Sequence, residues 1–308
     1  MIKEQRFGIE IELTGITRME AAKAVAKILD SREEYEGGCY KVYTIRDQEG
    51  RKWKIERDAS ILTQVKTRNG IESTYNDDYK VEFVSPICSY EDIETIQEIV
   101  RELRHRGAIA NTSCGIHVHV DASIHTARSI RNITNIMTAK EDILFKALQV
   151  APERANRWCK KVDDRFVEIL NKRKPSSKDA IEKIWYNGRC ERSQNHYDES
   201  RYHALNLHAI WQKGTIEFRC FNSTTHAGKV KTYIQLALAI SAQALTQKHS
   251  SAKKTASTNE KYTFRTWLLH LGMIGDEFDT ARKFLLENLD GCIAWRQGRP
   301  ETVAIATA

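Results

Sequence analysis

Phe7-Gly8-Ile9-Glu10-Ile11-Glu12-Leu13 alternates apolar and charged residues. A side-chain period of two is that of a β-strand, so Phe7, Ile9, Ile11 and Leu13 face a core while Glu10 and Glu12 share the opposite side. The same grammar recurs in Ile116-His117-Val118-His119-Val120 and in Thr215-Ile216-Glu217-Phe218-Arg219. Weaker versions are Lys80-Val81-Glu82-Phe83-Val84, Ala204-Leu205-Asn206-Leu207-His208 and Trp53-Lys54-Ile55-Glu56-Arg57-Asp58. Solvated strands usually carry Thr, Lys and Ser on their polar side. Here the polar sides carry Glu, His and Arg, residues suited to divalent metal and polyphosphate. Several such strands imply one shared polar surface.

Amphipathic helices separate the strands. Thr17-Arg18-Met19-Glu20 has the form of a capping box, and Ala22, Val25, Ala26 and Leu29 mark a helix face behind it. Residues 36–62 read as two strands around the turn Asp47-Gln48-Glu49-Gly50, and 67–78 as a polar loop containing Asn69-Gly70. Ser89 is placed to cap a helix carrying Ile93, Ile96, Val100 and Leu103, which Gly107 would end. Helical periodicity runs over about 125–150 and again over 228–247.

Between these two helices, residues 152–200 are rich in Lys and Arg and weakly periodic, and read as an insertion bordering a site. The expected organisation is a catalytic domain over 1–249, a linker or exposed loop at 250–262 and a small helical extension over 263–308, with a frayed tail from Arg296. Strands with an apolar back, interleaved with helices, predict an α+β fold. Buried parallel strands would read as continuous apolar runs, so the sheet should be mixed or antiparallel. Helices would cover its apolar face and leave the polar face open.

With 308 residues, 41% of them apolar and 29% charged, the chain is long enough for a sizeable core and too apolar for disorder. Seven scattered Cys without a CxxC pair argue against a disulfide framework or a zinc site and for a cytoplasmic setting. The start, Met1-Ile2-Lys3-Glu4-Gln5-Arg6, offers no apolar signal segment, and no stretch approaches the length of a membrane span. The formal charge of +7 fits plain solubility or an anionic ligand such as a nucleoside triphosphate. Nucleic-acid motifs are absent.

Taken singly, each polar feature has a plain structural reading. Glu10 and Glu12 could be a solvated strand face, Glu82 an exposed strand carboxylate, His117 and His119 satisfied structural residues, and Glu217 with Arg219 a surface ion pair. Jointly these readings require several polar faces to coincide by accident. Oxygen ligands with one or two imidazoles favour Mg²⁺ or Mn²⁺ over zinc, and the pattern HExxH of zinc hydrolases is missing. A Walker loop and the kinase motifs are missing too, so a bound nucleotide would be held through metal and Arg.

The order of FGIEIEL at 7–13, WKIERDASI at 53–61, VEFVSP at 81–86, CGIHVHVD at 114–121 and RYHALNLHAIWQKGTIEFR at 201–219 resembles the amidoligase family. That family lies within the glutamine synthetase and glutamate–cysteine ligase superfamily of carboxylate–amine ligases. The resemblance covers roughly residues 6–245. It implies an ATP-dependent ligase on a curved, mostly antiparallel sheet whose polar face holds two or three Mg²⁺ or Mn²⁺ ions. Carried over by motif, Glu10 and Glu12 would be metal ligands, with Glu82 completing the substrate-side metal. His117 and Glu217 would hold the metal bridging the phosphates, and His119 would lie near the nucleotide. Arg219 would reach the transferred phosphoryl group, Arg201 and Asn206 would contact phosphate or substrate, and Asp58 and Ser60 would line the site.

The implied chemistry has a carboxylate attack the γ-phosphorus of ATP, giving an acyl phosphate that an amine converts to an amide. The carboxylate and the amine stay unnamed; amino acids, peptides and cell-wall precursors all fit. Because acyl phosphates hydrolyse readily, a cover is expected from the 152–200 insertion or the 67–78 loop. Competing readings are phosphoryl transfer to a guanidino or other acceptor, a non-catalytic metal or nucleic-acid binder, and metal-assisted hydrolysis, which leaves Arg219 without a role.

Overall fold

In the computed structural model, which describes residues 1–295, Phe7, Ile9, Ile11 and Leu13 are all at most 2% exposed. They form the buried side of β1 (Phe7–Leu13). Thr17 caps α1 (Arg18–Ile28) with a complete capping box: its hydroxyl accepts from the Glu20 N–H, and the Glu20 carboxylate accepts from the Thr17 N–H. β2 (Glu33–Gly37), β3 (Val42–Arg46) and β4 (Lys52–Glu56) follow as an antiparallel meander. The expected turn lies between β3 and β4, where Asp47 accepts from the N–H groups of Glu49 and Arg51 and from the Trp53 indole. β2 is one strand more than the two expected. It is mostly exposed, so its sequence had no need to alternate.

The stretch expected as a polar loop contains structure. β5 (Gln64–Thr67) and β6 (Gly70–Ser73) pair as a separate hairpin. Most of its residues are exposed, which removes the period-two signal and leaves only the turn residues as a cue. β7 (Val81–Val84) then enters the main sheet, and α2 (Asp92–His105) follows. Ser89 does not cap α2. Its N–H and hydroxyl donate to Asp92, whose carboxylate also takes both terminal nitrogens of Arg51, so the helix start is pinned to the β3–β4 turn. Gly107, at φ +104°, turns the chain out of the helix as anticipated.

β8 (Gly115–Asp121) leads into α3 (Ala127–Leu148). Residues 152–200 hold α4 (Pro152–Arg157), α5 (Asp164–Arg173), α6 (Lys178–Trp185) and two short 3₁₀ turns. The chain returns to the sheet through β9 (Leu205–Asn206), α7 (Ala209–Lys213) and β10 (Thr215–Asn222), and α8 (Ala227–Thr246) runs back behind it. After an irregular stretch tied to α3 by Asn135, Lys140 and the Ala139 carbonyl come α9 (Glu260–His270) and α10 (Asp279–Leu286). The tail from Arg296, expected to fray, lies outside the described residues.

The main sheet is open and eight-stranded in the order β2-β3-β4-β7-β1-β8-β10-β9, with every pairing antiparallel. α1, α2, α8 and α3 pack side by side against its apolar face, and α10 packs on α8. The fold is α+β as expected. All seven cysteines are free thiols. Among the described residues, no helix is long and apolar enough to cross a membrane.

Candidate active site

Register turns the separate motifs into one polar surface. In antiparallel pairs, residues directly opposite share a face. One row across the sheet is Glu56, Glu82 and Glu12; the next is Lys54, Val84, Glu10 and His117; a third is Gly8, His119, Glu217 and Asn206. Gly8 is the position where β1 shows no side chain, leaving room in front of His119. All six strand motifs therefore deliver their polar residues to the same side.

Side-chain contacts close the cluster. His117 Nδ1 lies 3.1 Å from Glu10 and 3.6 Å from Glu217, and its Nε2 lies 3.7 Å from Glu12. His119 Nδ1 bonds the Thr215 hydroxyl at 2.9 Å, which turns Nε2 toward Glu10 and Glu217. That Nε2 is buried and stands 3.3 Å from Glu10 without hydrogen-bond alignment. Glu12 accepts the Gly115 N–H at 2.5 Å. Glu217 is clamped between Arg219 and Asn206, whose Nδ2 donates at 2.7 Å. Arg219 also approaches His117 Nδ1 at 3.5 Å.

The electrostatics are those of a crowded acidic surface. Burial pushes Glu12 up to about 7, with the charge of Asp58 adding to it and Arg154 and the Gly115 N–H opposing. Burial raises Glu82 well above the usual carboxylate range, helped by Glu10 and Glu12. Glu217, as deeply buried, and Glu10, slightly more exposed, both move down instead. For Glu10 the compensation is the charges of Lys213 and His119 and the hydrogen bond of His117; for Glu217 it is Arg219 and the two His. His117 falls to about 4, through burial and then through Arg219.

The remaining expected residues fall in different places. Asp58, just after β4, accepts from both the N–H and the hydroxyl of Ser60 at 2.6 Å, so the D-x-S pattern is an Asx turn that aims the carboxylate. Arg201 lines the cavity above the sheet, its guanidinium 5.7 Å from the ring centres of Tyr197 and Tyr202. Glu217 and Asn206 do not line the cavity; Asn206 stands behind Glu217 as its support.

Two charged residues escaped the sequence reading. Lys213, next to the left-handed Gly214, reaches Glu10 at 2.7 Å. Its position immediately before the TIEFR strand was the available signal. Arg154 of α4 is 2% exposed beside Glu12, and no local pattern marks it.

These groups floor a cavity of about 1260 Å³. Arg154, Trp158, His196 and Tyr197 from the 152–200 segment wall it, and the β2–β3 turn contributes Cys39 and Tyr40. The Tyr40 and Tyr197 hydroxyls meet across the opening. Neither the β5–β6 hairpin nor the rest of the 67–78 stretch lines it.

A family model described as "Putative amidoligase enzyme" matches residues 3–241, a span containing every candidate site residue named above. The chain belongs to this amidoligase family. The family is one of amide-bond ligases. No curated protein matches the chain.

The amidoligase site has donors suited to a hard divalent cation. Three groups bring their ligand atoms within 4.8 Å of one another: Glu10, Glu82 and His117; Glu10, His119 and Glu217; and Glu12, Asp58 and Glu82. Carboxylates dominate each, as Mg²⁺ or Mn²⁺ prefers. His119 adds an unpartnered buried Nε2 whose ring is oriented by Thr215 at the other nitrogen, the usual arrangement of a ligating imidazole.

Proposed function

We propose that the chain is an ATP- and Mg²⁺-dependent carboxylate–amine ligase that forms its amide through an acyl phosphate. The observation that carries this reading is the set of three overlapping carboxylate and imidazole groups on one sheet face, beside the buried Arg219, under a large walled cavity. Two or three ions held by Glu10, Glu12, Glu82, His117, His119, Asp58 and Glu217 would neutralise triphosphate charge.

The chemistry needs that neutralisation. Two like unit charges 4 Å apart repel by about 4 kcal/mol near a protein surface, and a carboxylate must approach a polyanion more closely than that. Lys213 and Arg219 add fixed positive charge at the same place, and Arg201 waits at the wall. A carboxylate oxygen attacks the γ-phosphorus, the bond to the bridging oxygen breaks, and ADP leaves. The amine nitrogen then attacks the acyl carbon, phosphate departs, and the nitrogen gives up a proton. Glu56, Asp58 and Glu82 offer the acidic side on which an ammonium substrate would rest and give up a first proton, which frees the nitrogen lone pair for that attack. The 152–200 wall limits water access to the acyl phosphate.

The test is phosphate release from ATP across a matrix of amino acids, peptides and other carboxylates against amines. Release that requires both partners and falls on the order of 10²-fold or more in Glu217→Ala and Glu10→Ala is expected. ADP with a stable phosphorylated acceptor and no amide would favour the phosphotransferase alternative. No nucleotide turnover with any pair would end both.

A further inference from the structure

Among the described residues, Arg154 is a buried cation with no carboxylate partner. It is 2% exposed, yet among the described residues its guanidinium makes a single hydrogen bond, from Nη2 to the Arg219 carbonyl at a long 3.4 Å. Its Nε is buried without a partner. Burying an unpaired cation costs several kcal/mol, so a position like this persists only where something else is served.

The surroundings are built for it. Asn222 holds the loop before α4, accepting from the Ala151 N–H and donating to the Gln149 carbonyl at 2.6 Å. β10 breaks register between Phe218 and Phe221, and the Arg219 carbonyl within that irregularity faces Arg154. Gly115 completes the slot. A Cβ there would collide with the guanidinium, although the Gly115 backbone is not left-handed and would accept any residue. The fork thus ends in the cavity wall between β8 and β10, next to Glu12, and forms no ion pair with a carboxylate among the described residues.

We propose that Arg154 is an oxyanion-binding residue of this cavity, whose free N–H groups take a carboxylate or a phosphoryl group delivered beside Glu12. A planar fork with several free donors matches both anions. Only the choice between them rests on the ligase reading. If that reading holds, the anion is either the carboxylate to be activated or the γ-phosphoryl group of ATP.

The experiment titrates the whole chain calorimetrically, in magnesium-containing chloride buffer, with orthophosphate, acetate, ADP and a non-hydrolysable ATP analogue. Arg154→Lys keeps the charge and loses the fork; Arg154→Met removes both. Thermal melting establishes that each variant is folded, and the lysine variant decides if the methionine variant is not. Wild type is expected to bind orthophosphate or acetate, and Arg154→Lys to bind it at least about tenfold more weakly. Weaker binding of the triphosphate analogue with unchanged ADP binding would assign the phosphoryl group. Weaker acetate binding with both nucleotides unchanged would assign the carboxylate. Failure of wild type to bind either small anion, or folded variants that bind them as wild type does, would overturn the proposal. Arg154-dependent binding of small anions by a chain that ignores both nucleotides would instead remove the ATP reading and leave this one standing.

Discussion

At the scale of single residues, the site is a charge ledger in which small side chains decide where large ones go. Gly115 is the clearest case, because its missing Cβ is the space that Arg154 fills. Gly115→Ala forces a buried guanidinium to move and should cost about 1–3 kcal/mol in urea unfolding, the usual range for overpacking. Combining it with Arg154→Met should recover part of that loss, since the clash disappears with the guanidinium. Additive losses in the double variant would mean that the two do not share the space. Asn206 acts at one remove, donating to Glu217 on the side away from Arg219. Asn206→Ala leaves a buried carboxylate oxygen without that donor. It should therefore weaken Mn²⁺ binding by about 10- to 100-fold, as losses of ligand-orienting partners do, with direct titration of the metal as the measurement. Unaltered affinity would show that Glu217 needs no such support. Neither role is written locally in the sequence: Gly115 opens the GIHVHVD strand, but its partner is 39 positions away on a short helix.

At the scale of elements, legibility followed burial. The strands that read well are those whose apolar side is buried and whose polar side faces the cavity, because both constraints enforce a period of two. β2, β5 and β6 are mostly exposed, so nothing enforces the period and they were missed or read as loop. The candidate residues on strands stood out for the same reason, whereas Arg154 and Lys213 sit on short helices whose placement is decided by tertiary packing.

The helix α3 carries a further element-scale device. Glu141, 3% exposed, takes the Val162 N–H on both oxygens at 3.1 Å and so ties α3 to the segment before α5. Burial raises its carboxyl from 4.5 to about 7. The folded state therefore holds a proton that the unfolded chain has lost, and this contribution to stability is full below about 4.5 and falls as pH rises toward 7. The gap corresponds to roughly 3 kcal/mol at most. Glu141→Gln lacks the titration. Its stability relative to wild type should rise between pH 5 and 7.5 in urea titrations, and a pH-independent difference would place the Glu141 carboxyl in its ordinary range.

At the scale of the whole molecule, the functional face and the closing helices lie on opposite sides of one core. The family match stops at residue 241, inside α8, and no described residue beyond Arg219 lines the cavity. Yet Phe264, Trp267, Leu268, Leu271, Met273, Phe278 and Leu285 from the last helices belong to the same buried cluster as the strand residues behind the site. Gln235 of α8 reaches the Glu277 carboxylate and the Tyr90 hydroxyl, joining that end of the chain to the stretch before α2. Seven large side chains at about 1.5–3 kcal/mol each bring up to about 10–20 kcal/mol of burial, comparable to the entire stability of an ordinary domain. A chain ending at residue 249 keeps every candidate site residue and loses that burial. It should show no cooperative melting transition, weak near-ultraviolet circular dichroism and self-association in gel filtration. Mn²⁺ binding should be lost with the fold, since the candidate ligands come from four strands and the Asp58 turn, aligned only by the intact sheet. A monomeric truncated chain that melts cooperatively near the full-length temperature would instead make the closing helices an ornament on a self-sufficient catalytic unit.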